Sequence, residues 1–233
     1  MTFSKRSYTK ELLDDDHIPF EDVKRNMQEL NFINKWLGGH KITVDGFKGL
    51  NGRRKKITVC EIGCGGGDNL AAIYKWCNKN DVKVHLIGID IKEECIEFAK
   101  SRKDISDVAT WIASDYKNAQ FAEPPDIILS SLFCHHFTDD QLVFQFRWMK
   151  DNSRVGFFIN DLHRHWLAYH SIKMLTQLFS SSYLVKNDAP LSVARGFKQQ
   201  ELKNLAAQSN LASAKVIWKW AFRFLLTYHH EPK

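Results

Sequence analysis

The segment that most constrains this 233-residue chain is a glycine-rich turn after a short β-prone run. Residues 58–69 read TVCEIGCGGGDN, so glycine occupies four of the five positions from 63 to 67. Glycine adopts positive φ angles at little cost and lets a ligand approach the bare backbone. Such a turn between a strand and a helix predicts a parallel α/β sheet that binds a nucleotide-like ligand at its carboxyl edge.

The residues around the turn argue against a dinucleotide. A G-x-G-x-x-G motif that starts at Gly63 requires a glycine at position 68, where this chain has Asp68. That carboxylate would repel a phosphate at the helix N-terminus, although it would suit a helix N-cap. Glu61, two residues before the first glycine, also suits a cation. A phosphate-free, positively charged nucleoside such as S-adenosylmethionine (SAM) fits these residues.

Four segments, taken in order, resemble those of class I SAM-dependent methyltransferases. EIGCGGG at 61–67 is similar to the first motif of that family, and VHLIGID at 84–90 is similar to its second strand, which ends in a ribose-binding acid. ASDY at 113–116 resembles the end of the third strand, and DIILSSLFCHHF at 126–137 resembles the fourth strand with its following loop. The resemblance is greatest to small-molecule methyltransferases of the ubiquinone/menaquinone or polyketide-tailoring type.

The resemblance implies SAM as the cofactor, with S-adenosylhomocysteine (SAH) as its product. Asp90 would accept hydrogen bonds from the ribose hydroxyls, and Asp115 would accept one from the adenine amino group. Glu61 would steer the amino or sulfonium end, and backbone groups of the turn would hold the methionine part. The expected cofactor-binding residues are Glu61, Gly63, Cys64, Gly65, Gly67, Asp90, Ile91, Asp115, Tyr116 and Ser131.

The methyl acceptor would be held by residues that follow the fourth and fifth strands. Methyl transfer from a sulfonium is an in-line displacement that needs an aligned acceptor in a dry site. A hydroxyl acceptor also benefits from a general base, which is most often histidine. The predicted catalytic residues are His136, His163 and Asp161, where Asp161 would orient a histidine or a substrate group. The predicted substrate-binding residues are Arg164, Trp166 and Tyr169.

The same resemblance implies an α/β, doubly wound Rossmann-like fold. Its seven-stranded, mostly parallel sheet would have an antiparallel last strand and helices on both faces. We interpret residues 1–50 as an N-terminal helical cap, and residues 51–233 as the methyltransferase domain with a helical lid insertion at about 162–196. Residues 1–16 are expected to pack loosely, and the Ser-, Asn-, Asp- and Pro-rich part of the insertion is expected to form a loop.

Composition limits the cellular context and the partners. No apolar run approaches the ~20 residues of a membrane span, and no signal peptide is visible, so a cytoplasmic protein is expected. The five cysteines include no C-x-x-C pair, which favours reduced thiols and argues against a zinc site. A net charge of +6 permits contact with nucleic acid without requiring it.

The favoured hypothesis is methyl transfer from SAM to a hydroxyl or activated carbon of a phenolic, quinone-like or polyketide compound. The partner would therefore be a small molecule, with nucleic acid disfavoured, no metal, and a monomer or homodimer as the assembly. Three alternatives stay open at this point. They are an RNA methyltransferase, a non-catalytic SAM-binding protein and a nicotinamide enzyme, and the last of these would bind NADH.

Overall fold

The computed structural model describes residues 3–15 and 17–231, and its centre is a seven-stranded sheet. The strand order is β3-β2-β1-β4-β5-β7-β6, and β7 runs antiparallel to both of its neighbours. The strand pairs β1–β2, β1–β4, β2–β3 and β4–β5 are parallel, which confirms the predicted doubly wound sheet with its antiparallel last strand. The strands are β1 (Lys56–Ile62), β2 (Lys83–Asp90), β3 (Ala109–Ala113), β4 (Ile127–Ser131), β5 (Gly156–Leu162), β6 (Lys215–Lys219) and β7 (Arg223–His229).

Helices cover both faces of this sheet. They are α1 (Phe20–Trp36), α2 (Gly39–Asn51), α3 (Asp68–Lys79), α4 (Glu93–Lys100), α5 (Asp139–Asp151), α6 (Trp166–Phe179), α7 (Tyr183–Arg195) and α8 (Gln199–Gln208). Within the described ranges, no helix is both long enough and apolar enough to cross a membrane.

Alternation along the strands divides the interior into two cores. Phe157 and Phe158 are adjacent on β5 and fully buried, yet they point to opposite faces because strand side chains alternate. Phe157 packs in the core that α5 and α8 complete, together with Phe146 and Leu202. Phe158 packs in the core that α2 and α3 complete, together with residues such as Phe47. Helix α2 is therefore part of the layer that covers the sheet.

The insertion after β5 contains more helix than its composition predicts. The first helix, α6, agrees with the predicted helical insertion. The Ser-, Asn-, Asp- and Pro-rich part forms the helix α7, so the prediction of a loop there is wrong. Ser182 caps α7 by accepting a hydrogen bond from the backbone N–H of Val185. Leu184, Val185 and Val193 are buried, and their packing outweighs the unfavourable helix propensity of Pro190 inside the helix.

The N-terminal segment, defined here as residues 3–15, is packed rather than loose. The Arg6 guanidinium is buried and donates hydrogen bonds to the Arg195 and Phe137 carbonyls and to Asp139. Glu11 is also buried, at 5% exposure. The expectation of loose packing is therefore wrong, because these charged residues find partners that lie far away in sequence.

Candidate active site

A cavity of about 480 Å³ lies at the carboxyl edge of the sheet, where β1, β2, β3 and β4 end. Parallel strands bring their carboxyl ends to one edge, which is why the four predicted segments meet there. Eight of the ten predicted cofactor-binding residues line this cavity, which we call the cofactor cavity. They are Gly63, Cys64, Gly65, Asp90, Ile91, Asp115, Tyr116 and Ser131.

The glycine turn needs glycine for both space and conformation. Gly63 has a φ of +66°, and a Cβ at this position would lie 2.4 Å from the Phe133 ring. Gly67 has a φ of +74°, and a Cβ at this position would likewise lie 2.4 Å from the Trp111 ring. Gly67 lies outside the cavity lining and occupies the N-cap position of α3. The predicted cap, Asp68, is instead the first residue of the helix and forms an ion pair with Arg102 at 2.7 Å.

Glu61 is the buried acid beneath this turn. Its Oε1 accepts a hydrogen bond of 2.8 Å from the Asn69 amide, whereas its Oε2 has no partner among the described residues. Burial raises the pKa of this carboxyl well above 4.5, although the Asn69 bond opposes the rise. Asn69 lines the cofactor cavity and also contacts His40 Nδ1 at 3.2 Å and the Thr43 hydroxyl at 3.0 Å. Asn69 therefore lies between Glu61 and the cavity and contacts both. It is not among the residues predicted from the sequence.

The acids that follow β2 and β3 already hold the backbone of the site. Asp90 accepts hydrogen bonds from the Gly65 N–H at 2.8 Å and the Lys92 N–H at 3.0 Å. Burial raises the pKa of Asp90, and these backbone bonds oppose that rise. Asp115 accepts a bond from the Lys117 N–H at 3.0 Å and begins a short 3-10 turn. Each carboxylate oxygen can accept a second hydrogen bond, so both acids keep capacity for a ligand.

A second cavity of about 280 Å³ adjoins the first, and we call it the acceptor cavity. The two cavities share lining residues, which are Leu13, Leu30, Asn34, Leu132 and His136. Most of the remaining lining of the acceptor cavity is apolar and comes from α1, α6, α7 and the turn before β7. Leu132 has a φ of +54°, a left-handed conformation that is uncommon for residues other than glycine. The shared wall therefore contains a locally strained residue.

Two histidines and a glutamate face each other in the acceptor cavity and form the His–Glu cluster (Glu11, His135 and His136). His135 Nε2 lies 3.6 Å from Glu11 Oε1, and His136 Nε2 lies 3.9 Å from Glu11 Oε2. The two imidazole rings are 4.4 Å apart between centroids. Glu11 could be found only from the structure, because nothing in its local sequence links it to residues 135 and 136.

Asp161 lies behind the cluster at the end of β5. It is fully buried and accepts hydrogen bonds from the backbone N–H of His135 at 3.1 Å and from the His135 ring, whose Nδ1 lies 2.8 Å away. Burial alone would raise the pKa of Asp161, but His135 and the surrounding hydrogen bonds keep it below 3.8. Asp161 thus positions His135, whereas His136 contacts Asp14 through its Nδ1 at 3.1 Å.

The remaining predicted residues do not line either cavity. His163 is half-buried and receives a hydrogen bond from Trp218 Nε1; burial, together with the positive charge of Lys198, lowers its pKa to about 4. Arg164 is fully buried, where it forms an ion pair with Glu201 at 2.6 Å and donates to the carbonyls of Phe3, Ser4 and Gly196. The expectation that Arg164 binds substrate is therefore wrong, because the N-terminal segment and Glu201 occupy its donors.

Trp166 and Tyr169 lie on α6 without facing the acceptor cavity. Trp166 is 57% exposed, and the Tyr169 ring packs edge-on against Phe3 at 5.4 Å between centroids. The inward face of α6 consists instead of Ala168, Ser171, Ile172 and Leu175. The predicted aromatic residues of α6 therefore lie outside the lining of the acceptor cavity.

Comparison with known proteins places this arrangement in a family. Residues 53–220 match the family described as a methyltransferase domain. No curated protein matches the chain. The plantazolicin methyltransferase BpumL in complex with SAH is 17% identical, with a TM-score of 0.65, and the match covers 89% of this chain and 90% of that one.

Two further solved structures share the fold. The magnesium protoporphyrin IX methyltransferase ChlM from Synechocystis, with bound SAH, is 14% identical with a TM-score of 0.51, covering 93% of this chain and 90% of that one. The pyocyanin biosynthetic protein PhzM is 12% identical with a TM-score of 0.57, covering 82% and 55% respectively. Because the family match spans well over half of the chain, this protein belongs to the methyltransferase domain family and has the class I Rossmann-like fold that its motifs predicted.

Proposed function

We propose that this protein transfers the methyl group of SAM to a small molecule bound in the acceptor cavity. The observation that carries the proposal is the shared wall between the two cavities, because it would bring a methyl donor and an acceptor next to each other. Family membership and SAH-bound structures of similar fold support SAM as the donor.

The charges of the cofactor cavity suit a phosphate-free cation. SAM carries a sulfonium and an ammonium group, and the buried carboxylates Glu61 and Asp90 would stabilise positive charge in this low-dielectric site. The ribose hydroxyls would donate to Asp90, and the adenine amino group to Asp115. The second carboxylate oxygen of Glu61 has no hydrogen-bond partner among the described residues, so it keeps the capacity to accept one from a cationic donor.

The His–Glu cluster is the group of residues best placed to act on the acceptor. In the proposed reaction an acceptor oxygen forms a bond to the methyl carbon while the carbon–sulfur bond of SAM breaks. The sulfonium becomes a neutral thioether, and the hydroxyl proton passes to the cluster. His136 is the member that lines both cavities, so we assign it the contact with the acceptor hydroxyl.

The shape of the cavities favours an extended, mostly apolar acceptor. Ile33, Leu37, Ile172 and Leu175 line both the acceptor cavity and a third, open groove between α1 and α6. That groove has an apolar wall with the exposed side chains of Phe32, Trp36 and Phe179. A phenolic or quinone-like ring with an apolar extension would fit a reactive end near His136 and a tail along this groove.

Calorimetry tests the donor, and a methyl-transfer assay tests the acceptor class. SAM and SAH should bind with one site per chain, and NADH should not bind. A panel of phenols with and without alkyl tails, incubated with SAM, should yield SAH and products heavier by one methyl group. Failure to bind either SAM or SAH would overturn the proposal. If RNA is methylated and none of the phenols is, the enzyme class would stand but the small-molecule acceptor would be rejected.

A further inference from the structure

The His–Glu cluster brings together three groups that repel one another when both imidazoles are neutral. Each imidazole meets a carboxylate through its Nδ1, since His135 contacts Asp161 at 2.8 Å and His136 contacts Asp14 at 3.1 Å. A neutral imidazole that donates its Nδ1–H to a carboxylate has a bare lone pair on Nε2. Both of these Nε2 atoms then point at the Glu11 carboxylate, so three electron-rich groups converge on one another.

The charge balance around the cluster leaves this repulsion in place. Glu11, Asp14 and Asp161 supply three carboxylates, against which Arg195 supplies one guanidinium. Arg195 lies 3.9 Å from Glu11 Oε1 but only 3.0 Å from Asp14 Oδ2. Ser192 donates to Glu11 Oε1 at 2.8 Å and leaves Oε2 facing His136. Arg223 is buried in the same cavity and supplies a second guanidinium near Asp161, so with neutral imidazoles one negative charge remains, which favours a bound cation.

The geometry agrees with a metal centre of known type. Metal-bound histidines almost always donate their second ring nitrogen to a carboxylate, a carbonyl or water, and both histidines here do so. Tetrahedral bonds of about 2.0–2.2 Å place ligand atoms roughly 3.3–3.6 Å apart. The Nε2–oxygen distances are 3.6 and 3.9 Å, and the candidate ligand atoms all lie within 4.8 Å of one another. The two distances involve different oxygens of Glu11, so binding through one oxygen would require the ligand atoms to close by up to about 1 Å.

We propose that Glu11, His135 and His136 bind one divalent transition-metal ion of the Zn²⁺ class in the acceptor cavity. Two imidazoles and one carboxylate suit such an ion better than Mg²⁺ or Ca²⁺, which prefer oxygen ligands. Three protein ligands leave a coordination position for a further group. If the proposed methyl transfer is correct, that position would hold the acceptor oxygen and favour loss of its proton to water, and His136 would act as a metal ligand in place of the direct contact with the hydroxyl.

Metal binding can be tested without SAM or an acceptor. Tag-free protein is treated with a chelator, incubated with Zn²⁺ and dialysed, and the retained metal is then measured. In a separate experiment Co²⁺ serves as a spectroscopic probe, because its ligation by nitrogen and oxygen gives visible absorption bands. One equivalent should be retained. Glu11→Gln and His135→Asn should each weaken binding at least tenfold, whereas His163→Asn, a half-buried histidine outside the cluster, should bind as the unmodified protein does.

The controls distinguish loss of the metal site from loss of the fold and from failure of the proposed methyl transfer. His136→Asn alters the most exposed ligand, and circular dichroism with SAH calorimetry reports whether each variant remains folded. Less than one equivalent of retained metal, or equal retention in folded Glu11→Gln and His163→Asn, would overturn the site and favour protonated imidazoles facing Glu11. Metal binding without SAH binding would uphold the site and reject the proposed function.

Discussion

Glu61→Gln should stabilise the ligand-free protein and weaken its binding of SAM. Glu61 is buried, and only one of its two carboxylate oxygens has a partner. Gln keeps the oxygen that accepts from Asn69 and removes the negative charge. The Gln amide also leaves a buried polar atom unpaired, at a cost of about 1–3 kcal/mol, but an unpaired buried charge costs more, so the variant should gain a free energy of unfolding of about 1 kcal/mol or more. For a domain of this size that gain corresponds to a rise in Tm of roughly 2–4 °C.

The effect of Glu61→Gln should depend on pH with a definite sign. Burial raises the folded-state pKa of Glu61 well above its ordinary 4.5, so the folded protein holds this proton more tightly than the unfolded chain. Stability therefore falls as pH rises through 4.5 toward the folded-state pKa. The Gln variant does not lose stability in this pH range, because it has no carboxyl group to titrate at this position. Its advantage should be large at neutral pH and should vanish below about pH 4.5, where the carboxyl is protonated in both states.

Thermal unfolding by circular dichroism, with and without SAH, measures both parts of this prediction. A lost hydrogen bond to a charged group costs about 1.5–3 kcal/mol, which corresponds to a Kd that is higher by roughly 10- to 150-fold. The rise in Tm on adding SAH should therefore be smaller in the variant. A lower Tm for the ligand-free variant at pH 7, together with an unchanged response to SAH, would refute the argument that Glu61 is buried to meet a cation.

Four further substitutions test other parts of the structure. Asp90→Asn should raise the Kd for SAM by at least tenfold with little change in fold, because Asp90 is the proposed ribose acceptor; calorimetry would detect this, and an unchanged Kd would contradict the role. His136→Asn should lower turnover by about 10²-fold or more and leave SAH affinity near normal, whereas His163→Asn should leave both unchanged; equal losses of turnover would reject our placement of the acceptor. Arg164→Met should lower the free energy of unfolding by about 3–5 kcal/mol, because Glu201 loses its buried partner. Urea titration measures this change, and a loss below about 1 kcal/mol would reject a structural role for Arg164.

The sequence predicted the sheet and most of the cofactor cavity because both depend on local patterns. The glycine turn needs positive φ angles within five residues, Asp90 is the last residue of β2, and Asp115 lies two positions after the end of β3. The order of the strands then brings these ends together, so no long-range information is needed beyond the fold class. The capping box at Thr138 is likewise local, because Thr138 and Gln141 are only three positions apart.

The acceptor side could not be predicted in this way because it depends on contacts distant in sequence. Glu11 and His135 are 124 positions apart and meet only after the sheet has formed. Arg164 follows a strand end, which favoured a ligand role, yet Glu201 and the carbonyls of Phe3 and Ser4 determine where its guanidinium lies. On α6, aromatic content suggested a binding face, but the direction of each side chain depends on how the helix packs.

The N-terminal segment has a consequence for how the protein becomes active. Its backbone N–H groups at Leu12 and Leu13 donate to Asp188, and the Arg6 side chain donates to the Arg195 carbonyl, 189 residues away. Contacts of such long range form late, after nearby segments have folded. Residues 3–15 are synthesised first, but they can dock only once residues 188–195 have left the ribosome and folded. The acceptor cavity, which Glu11 and Leu13 line, is therefore completed only after most of the chain has been synthesised.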